Sequence, residues 1–206
     1  MSSSMASPQE TLNQKRNQYE PAFHLLVEDF LRVCEFVEPV DAHLQVYSHR
    51  LYELLLRAST EFESLSREIL EAHGLGSRSN LNITDFVAIA PILELQRQRA
   101  IASFWRPMAA TLTPFAHWAP ANTSLSWYQG YNAVKHNRNA DFSRASLSNV
   151  RDAICSVFII MARLGFLEVI GSRMNAPGGA WQGIDRFRDI PFALHYEIVP
   201  PGSLQA

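Results

Sequence analysis

What this sequence has little of narrows its possible chemistry. It holds two cysteines, Cys34 and Cys155, far apart and set among apolar neighbours (Val33, Phe36, Ile154, Val157). That pattern gives no disulfide framework and no Cys-x-x-Cys pair, and it reads as two free thiols packed as small hydrophobes in a reducing cytoplasm. Charge of either sign is not in excess: 18 basic against 20 acidic residues leave a formal charge of −2. Nothing global therefore argues for a protein that coats DNA or anionic lipid, and any polyanion site must be a local patch. No long hydrophobic run exists. The nearest, Ile154 to Leu164, is broken by Arg163 and preceded by Arg151 and Asp152, too short and too charged at its flank to span a bilayer. Met1 to Lys15 is polar and serine-rich without the apolar centre of a signal peptide, and residues 1–18 read as a disordered tail.

Catalytic signatures are missing as well. There is no Gly-x-x-x-x-Gly-Lys-Ser/Thr, no His-Glu-x-x-His and no Gly-x-Ser-x-Gly. Gly74-Leu75-Gly76-Ser77 follows a helical pattern rather than a strand and lacks the third glycine of a dinucleotide loop. His24, His43, His49, His73, His117 and His195 show no metal-ligand spacing, so neither a metal nor a cofactor is expected.

What is present is helical periodicity. Phe23, Leu26, Val27, Phe30, Leu31 and Cys34 recur at steps of three and four, predicting a helix over Pro21–Val37 that Glu38-Pro39 ends. The clearest helix runs from Asp41 to His73: Leu44, Leu51, Ala58 and Leu65 repeat beside Leu55, Phe62 and Ile69 as one continuous seam, closed by Gly74. Asn82 caps a short helix through Ala90. Residues 92–120 fit neither period and carry Pro107, Pro114 and Pro120, which predicts an irregular insertion with short strands. Ser124 or Ser126 should cap a helix from Trp127 to Asn137, and a strong stripe from Leu147 to Leu164 predicts another over Ser146–Leu164, ended by Gly165. Residues 167–206 are expected to form a C-terminal extension packed on the domain, with a turn around Trp181 to Phe187 and an alternating pattern over Phe192–Ile198 that predicts an edge strand. The expectation is one mainly α domain over residues 19–166, a helical bundle with an insertion. Glu61 and Glu63 read as solvated edge positions, and Trp105, Trp118, Trp127 and Trp181 as core.

Polar chemistry is densest in Ser126-Trp127-Tyr128-Gln129-Gly130-Tyr131-Asn132-Ala133-Val134-Lys135-His136-Asn137-Arg138-Asn139. At about 100° per residue, Trp127, Tyr131 and Val134 share one side, while Gln129, Asn132, Lys135, His136 and Asn139 share the other. Asn132 and His136 lie one turn apart, and Lys135 and Arg138 flank them, a grouping suited to a phosphate.

This segment resembles the signature helix of HEPN domains, whose motif is arginine, a polar residue that is often asparagine, about three further residues, then histidine. Tyr131-Asn132-Ala133-Val134-Lys135-His136 occupies that frame, with Asn132 and His136 matching and Tyr131 standing where arginine is expected. The wider string from Trp127 to Arg138, followed by the Leu147–Leu164 helix, resembles uncharacterised bacterial HEPN-like proteins. So does the run Tyr47-Ser48-x-x-Leu51-x-x-Leu54-Leu55-Leu56 that ends in Glu61-x-Glu63. The resemblance implies an all-helical HEPN-like bundle, a homodimer with a shared site near the Trp127–Arg138 helix, and metal-independent RNA cleavage of the kind used in toxin and phage-defence systems. It places His136, Asn132 and Tyr131 as catalytic residues and Lys135, Arg138 and Gln129 on the phosphate or RNA, and it implies an antitoxin or defence partner. Two other readings stay open: a non-catalytic homodimeric or nucleotide-binding module in which Tyr131 marks a lost active site, and a small-molecule enzyme with its pocket between Ile92–Trp118 and the Trp127 helix.

Overall fold

A computed structural model describes residues 6–167 and 194–198 of the chain. The fold is mainly helical, and its centre is α3 (His49–Ala72), which packs against α2 (Arg16–Cys34), α6 (Ser126–His136) and α8 (Leu147–Leu164). The seam visible in the sequence explains that position. Leu51, Leu55, Ala58, Phe62, Leu65 and Ile69 are all 0% exposed, and each large apolar side chain so removed from water contributes about 1.5–3 kcal/mol. Gly74 follows the helix at φ +71°, a conformation that glycine adopts without steric cost. In α8, Ser146 caps the N-terminus by accepting from the Asn149 N–H, and Gly165 closes the C-terminus at φ +69°.

Three sequence expectations need correction. The clear helix does not start at Asp41: residues 41–43 form a 3-10 turn and α3 begins at His49, capped by the Ser48 hydroxyl, which accepts from the Leu51 N–H. The carbonyls of Leu44 and Val46 instead accept from the N–H groups of Ser148 and Leu147. A segment that satisfies the free donors of one helix end cannot also propagate its own helix. The 1–18 tail is not irregular throughout, because Pro8–Asn13 forms α1 behind a Ser7–Glu10 capping box. Leu12 of α1 is buried, and Gln9 Nε2 donates to the Leu164 carbonyl at 3.0 Å. Finally, α2 starts at Arg16 rather than Pro21. Pro21 costs that helix one backbone hydrogen bond without ending it, since Tyr19 and Phe23 on either side are held in the core.

Asn82 caps α4 (Ile83–Phe86) with Asp85 in a second capping box, and α5 (Ile89–Ile92) follows. The insertion then contributes a hairpin of β1 (Gln98–Ala102) and β2 (Ala110–Leu112), with Ile101 opposite Thr111. Gln98, Ala100 and Ala102 alternate inward and are 0% exposed. The buried Gln98 amide is satisfied through the Glu94 carbonyl at 3.0 Å. The far strand, β3 (Leu194–Ile198), pairs antiparallel with the other side of β1, giving the order β2-β1-β3 and placing the expected edge strand at an edge. The expected turn around Trp181 to Phe187 lies outside the described residues. Cys34 and Cys155 are free and buried, and burial pushes the Cys34 thiol up to about 12.

Phe62 is the packing node. It meets Phe86, Phe115, Trp118, Trp127 and Tyr128 at ring-centroid distances of 5.0–6.3 Å. Phe62→Ala should lower the unfolding free energy by about 3–5 kcal/mol, read as a lower urea midpoint at unchanged slope. A midpoint within experimental error of the parent would contradict this packing.

Candidate functional site

The site helix α6 starts without a side-chain cap: Leu125 occupies the N-cap position, and neither Ser124 nor Ser126 fills the capping role. Ser124 serves differently, accepting from Gln129 Nε2 at 2.7 Å. Trp127, Tyr128, Tyr131 and Val134 are buried on the face toward α3 and α8, while Gln129, Lys135 and His136 are exposed and Asn132 is half-buried. Gly130 permits the close approach to α8, since a Cβ there would fall 2.4 Å from Asn149 Nδ2.

A hydrogen-bonded network joins the buried face to the exposed one. Tyr128 donates its hydroxyl to Glu63 Oε1 of α3 at 2.7 Å, and Lys135 Nζ donates to the Tyr131 hydroxyl at 2.9 Å. Burial, with the Glu63 carboxylate adding to it, pushes both phenols above their ordinary range, so both stay neutral. The hydrogen bond to Tyr131 raises the Lys135 ammonium in turn, which keeps it charged. Lys135 Nζ also sits 4.9 Å from the Tyr131 ring centroid. Glu63, read from the sequence as a solvated edge, is therefore an anchor for α6.

Tyr131 itself is 3% exposed. Its ring is packed in the core, and its hydroxyl accepts the hydrogen bond that holds Lys135. His136 and Asn132 have no side-chain hydrogen-bond partner among the described residues, and His136 ends α6, where the helix dipole favours a cation.

Arg138, in the short helix α7 (Arg138–Asp141), lies over the Tyr52 ring at 5.6 Å. This contact belongs to an aromatic cluster that sequence reasoning missed. Phe142 meets Tyr47 at 5.6 Å, His49 at 4.7 Å and Tyr52 at 6.2 Å. Tyr47 is 50% exposed and His49 is exposed with it. The structure thus gathers Lys135, His136 and Arg138 at one end of α6 beside partly exposed rings, while Gln129 lies two turns away toward Ser124. Among the described residues no group of three or more His, Cys, Asp or Glu could hold a metal ion. Nor is any helix there long and apolar enough to cross a membrane.

No protein-family model, no curated protein and no solved structure matches this chain.

The burial of Tyr131 gives a direct test. Tyr131→Phe removes the acceptor that holds Lys135 and should cost about 1 kcal/mol, whereas Tyr131→Arg forces a guanidinium into the packed face and should cost about 3 kcal/mol or more. Thermal unfolding of the two variants checks this, and an arginine variant as stable as the parent would contradict the placement.

Proposed function

We propose that this chain is an HEPN-like RNA-associated protein that holds single-stranded RNA at the C-terminal end of α6 and cleaves it without a metal ion. The supporting observation is one juxtaposition: the exposed His136 stands in the chain between two held cations, Lys135 on the Tyr131 hydroxyl and Arg138 over the Tyr52 ring. Beside them lies the Tyr47–His49–Phe142 cluster.

Each part has a use in that reading. Exposed aromatic rings stack bases irrespective of sequence, at about 1–3 kcal/mol per base, and cations beside them track the phosphates. His136 takes the proton of a ribose 2′-hydroxyl as general base. The 2′-oxygen then forms its bond to phosphorus as the bond to the 5′-oxygen breaks, leaving a cyclic phosphate and a 5′-hydroxyl that gains a proton. Lys135 and Arg138 balance the charge that builds on the phosphate oxygens, in place of the arginine that the HEPN frame would put at position 131. Asn132, one turn before His136, orients the ring or the ligand. A homodimer would bring two such ends together, and a toxin or phage-defence setting with an encoded partner follows from the resemblance.

The burial of Tyr131 favours a second reading, a non-catalytic homodimeric module that binds RNA or a nucleotide without cutting it.

The decisive measurement uses a labelled single-stranded RNA with chelator present. Cleavage should occur, His136→Ala should slow it about a hundredfold or more with the fold intact, and Tyr52→Leu should weaken binding. Light scattering should report a dimer at micromolar concentration. RNA binding without cleavage, unchanged by His136→Ala, would select the second reading. Absence of both binding and cleavage would remove both.

A further inference from the structure

The C-terminal half of α2 and the first turns of α3 leave a groove of about 660 Å³ between them. Val33 and Leu56, both half-buried, supply its apolar floor, and Phe36 stands at one end, 87% exposed. Leu25, 58% exposed, lies about three helical turns before Phe36. Neither side chain adds to the core. Two large apolar side chains held in water beside an apolar groove mark a surface that another molecule covers.

The charges on the rim decide what that molecule is. Lys15 pairs with Glu68 and Arg57 with Asp29, so α2 and α3 run antiparallel with Asp29 level with Arg57. One turn nearer to Phe36, Arg32 of α2 is level with Glu53 of α3, and both line the groove. Read in that direction, the α2 rim is negative then positive and the α3 rim positive then negative. Each rim arginine already has a carboxylate within the chain: Arg57 has Asp29, Arg32 has Glu28 at 2.6 Å and Arg50 has Glu53 at 2.8 Å. No surplus cation is left to hold a polyanion. The rim instead fits a surface that carries the same charges in the opposite order, and a second copy of this chain, turned over, supplies that order.

We propose that this groove is the contact face of a homodimer whose two-fold axis runs along the groove, so that α2 of each copy lies over α3 of the other. In that arrangement Arg32 meets the partner's Glu53, Asp29 meets the partner's Arg57, and the two Phe36 rings close the same end of the joined groove. An aromatic side chain taken out of water at a contact removes about 150–250 Å² of surface, so the rings supply affinity. The rim charges fix the orientation. Because the axis parallels the helices, the first turns of both α3 helices, with Tyr52 and the Arg138 held over it, come to the same end of the dimer. The groove shares no residue with the candidate site, and the inference does not rest on the RNA reading.

Phe36, Arg32 and Glu53 are all exposed, so each can be changed without disturbing the core. Sedimentation equilibrium of the full chain should give a dimer at about 50 µM. Phe36→Glu and Arg32→Glu should each weaken it at least about tenfold, with the helical circular-dichroism spectrum unchanged. The double variant Arg32→Glu with Glu53→Arg exchanges the two partners of each contact and should recover the dimer affinity of the parent. A monomer at every concentration up to about 200 µM would leave the groove to another occupant and overturn the proposal. So would a dimer that persists in Phe36→Glu, which would put the contact elsewhere, the end of α6 included. A double variant that dimerises no better than Arg32→Glu alone would overturn it as well.

Discussion

Phe62 stands halfway along α3, and its ring is met by rings from α4, from the segment after β2 and from α6. Each such aromatic pair adds about 0.5–1.5 kcal/mol beyond the area it buries. The short elements of the insertion depend most on these rings, because α4 and α5 are four residues each and β2 has three. The rings around Phe62, the Tyr128–Glu63 hydrogen bond and the close approach of Gly130 to α8 together set the position of α6, and so of both of its ends.

That dependence explains what could be read in the sequence. The α3 seam, the cap at Asn82 and the stops at Gly74 and Gly165 are local features, each set by a few neighbouring residues. The division of α6 into a buried side (Trp127, Tyr131, Val134) and a polar side followed from period alone. Features settled by distant partners could not be read that way. Residues 41–48 look helical until α8 claims their carbonyls, and Glu63 looks like a surface acid until the Tyr128 hydroxyl reaches it. The rings around Phe142 come from chain segments far apart, so no window of sequence contains them.

Within the candidate site, the tyrosine at 131 and the lysine at 135 work as a pair. A neutral phenol can be buried against α3 at little cost, whereas an arginine there would lose its hydration without a full set of acceptors. Placing the charge on Lys135, four residues further along and at the surface, keeps a cation near His136 while the core stays uncharged. The hydroxyl of Tyr131 fixes where that cation stands.

The sheet order β2-β1-β3 carries a consequence for how the chain is made. β1 meets β2 within a short hairpin, but its other side waits for residues 194–198. During synthesis the hairpin leaves the ribosome early, with one row of β1 backbone donors and acceptors still unpaired. A strand edge open in that interval can recruit the same strand of a neighbouring nascent chain. Production of this protein is thus most exposed to aggregation while the stretch between β2 and β3 is being translated. Truncations that stop short of Leu194 would make that exposure permanent.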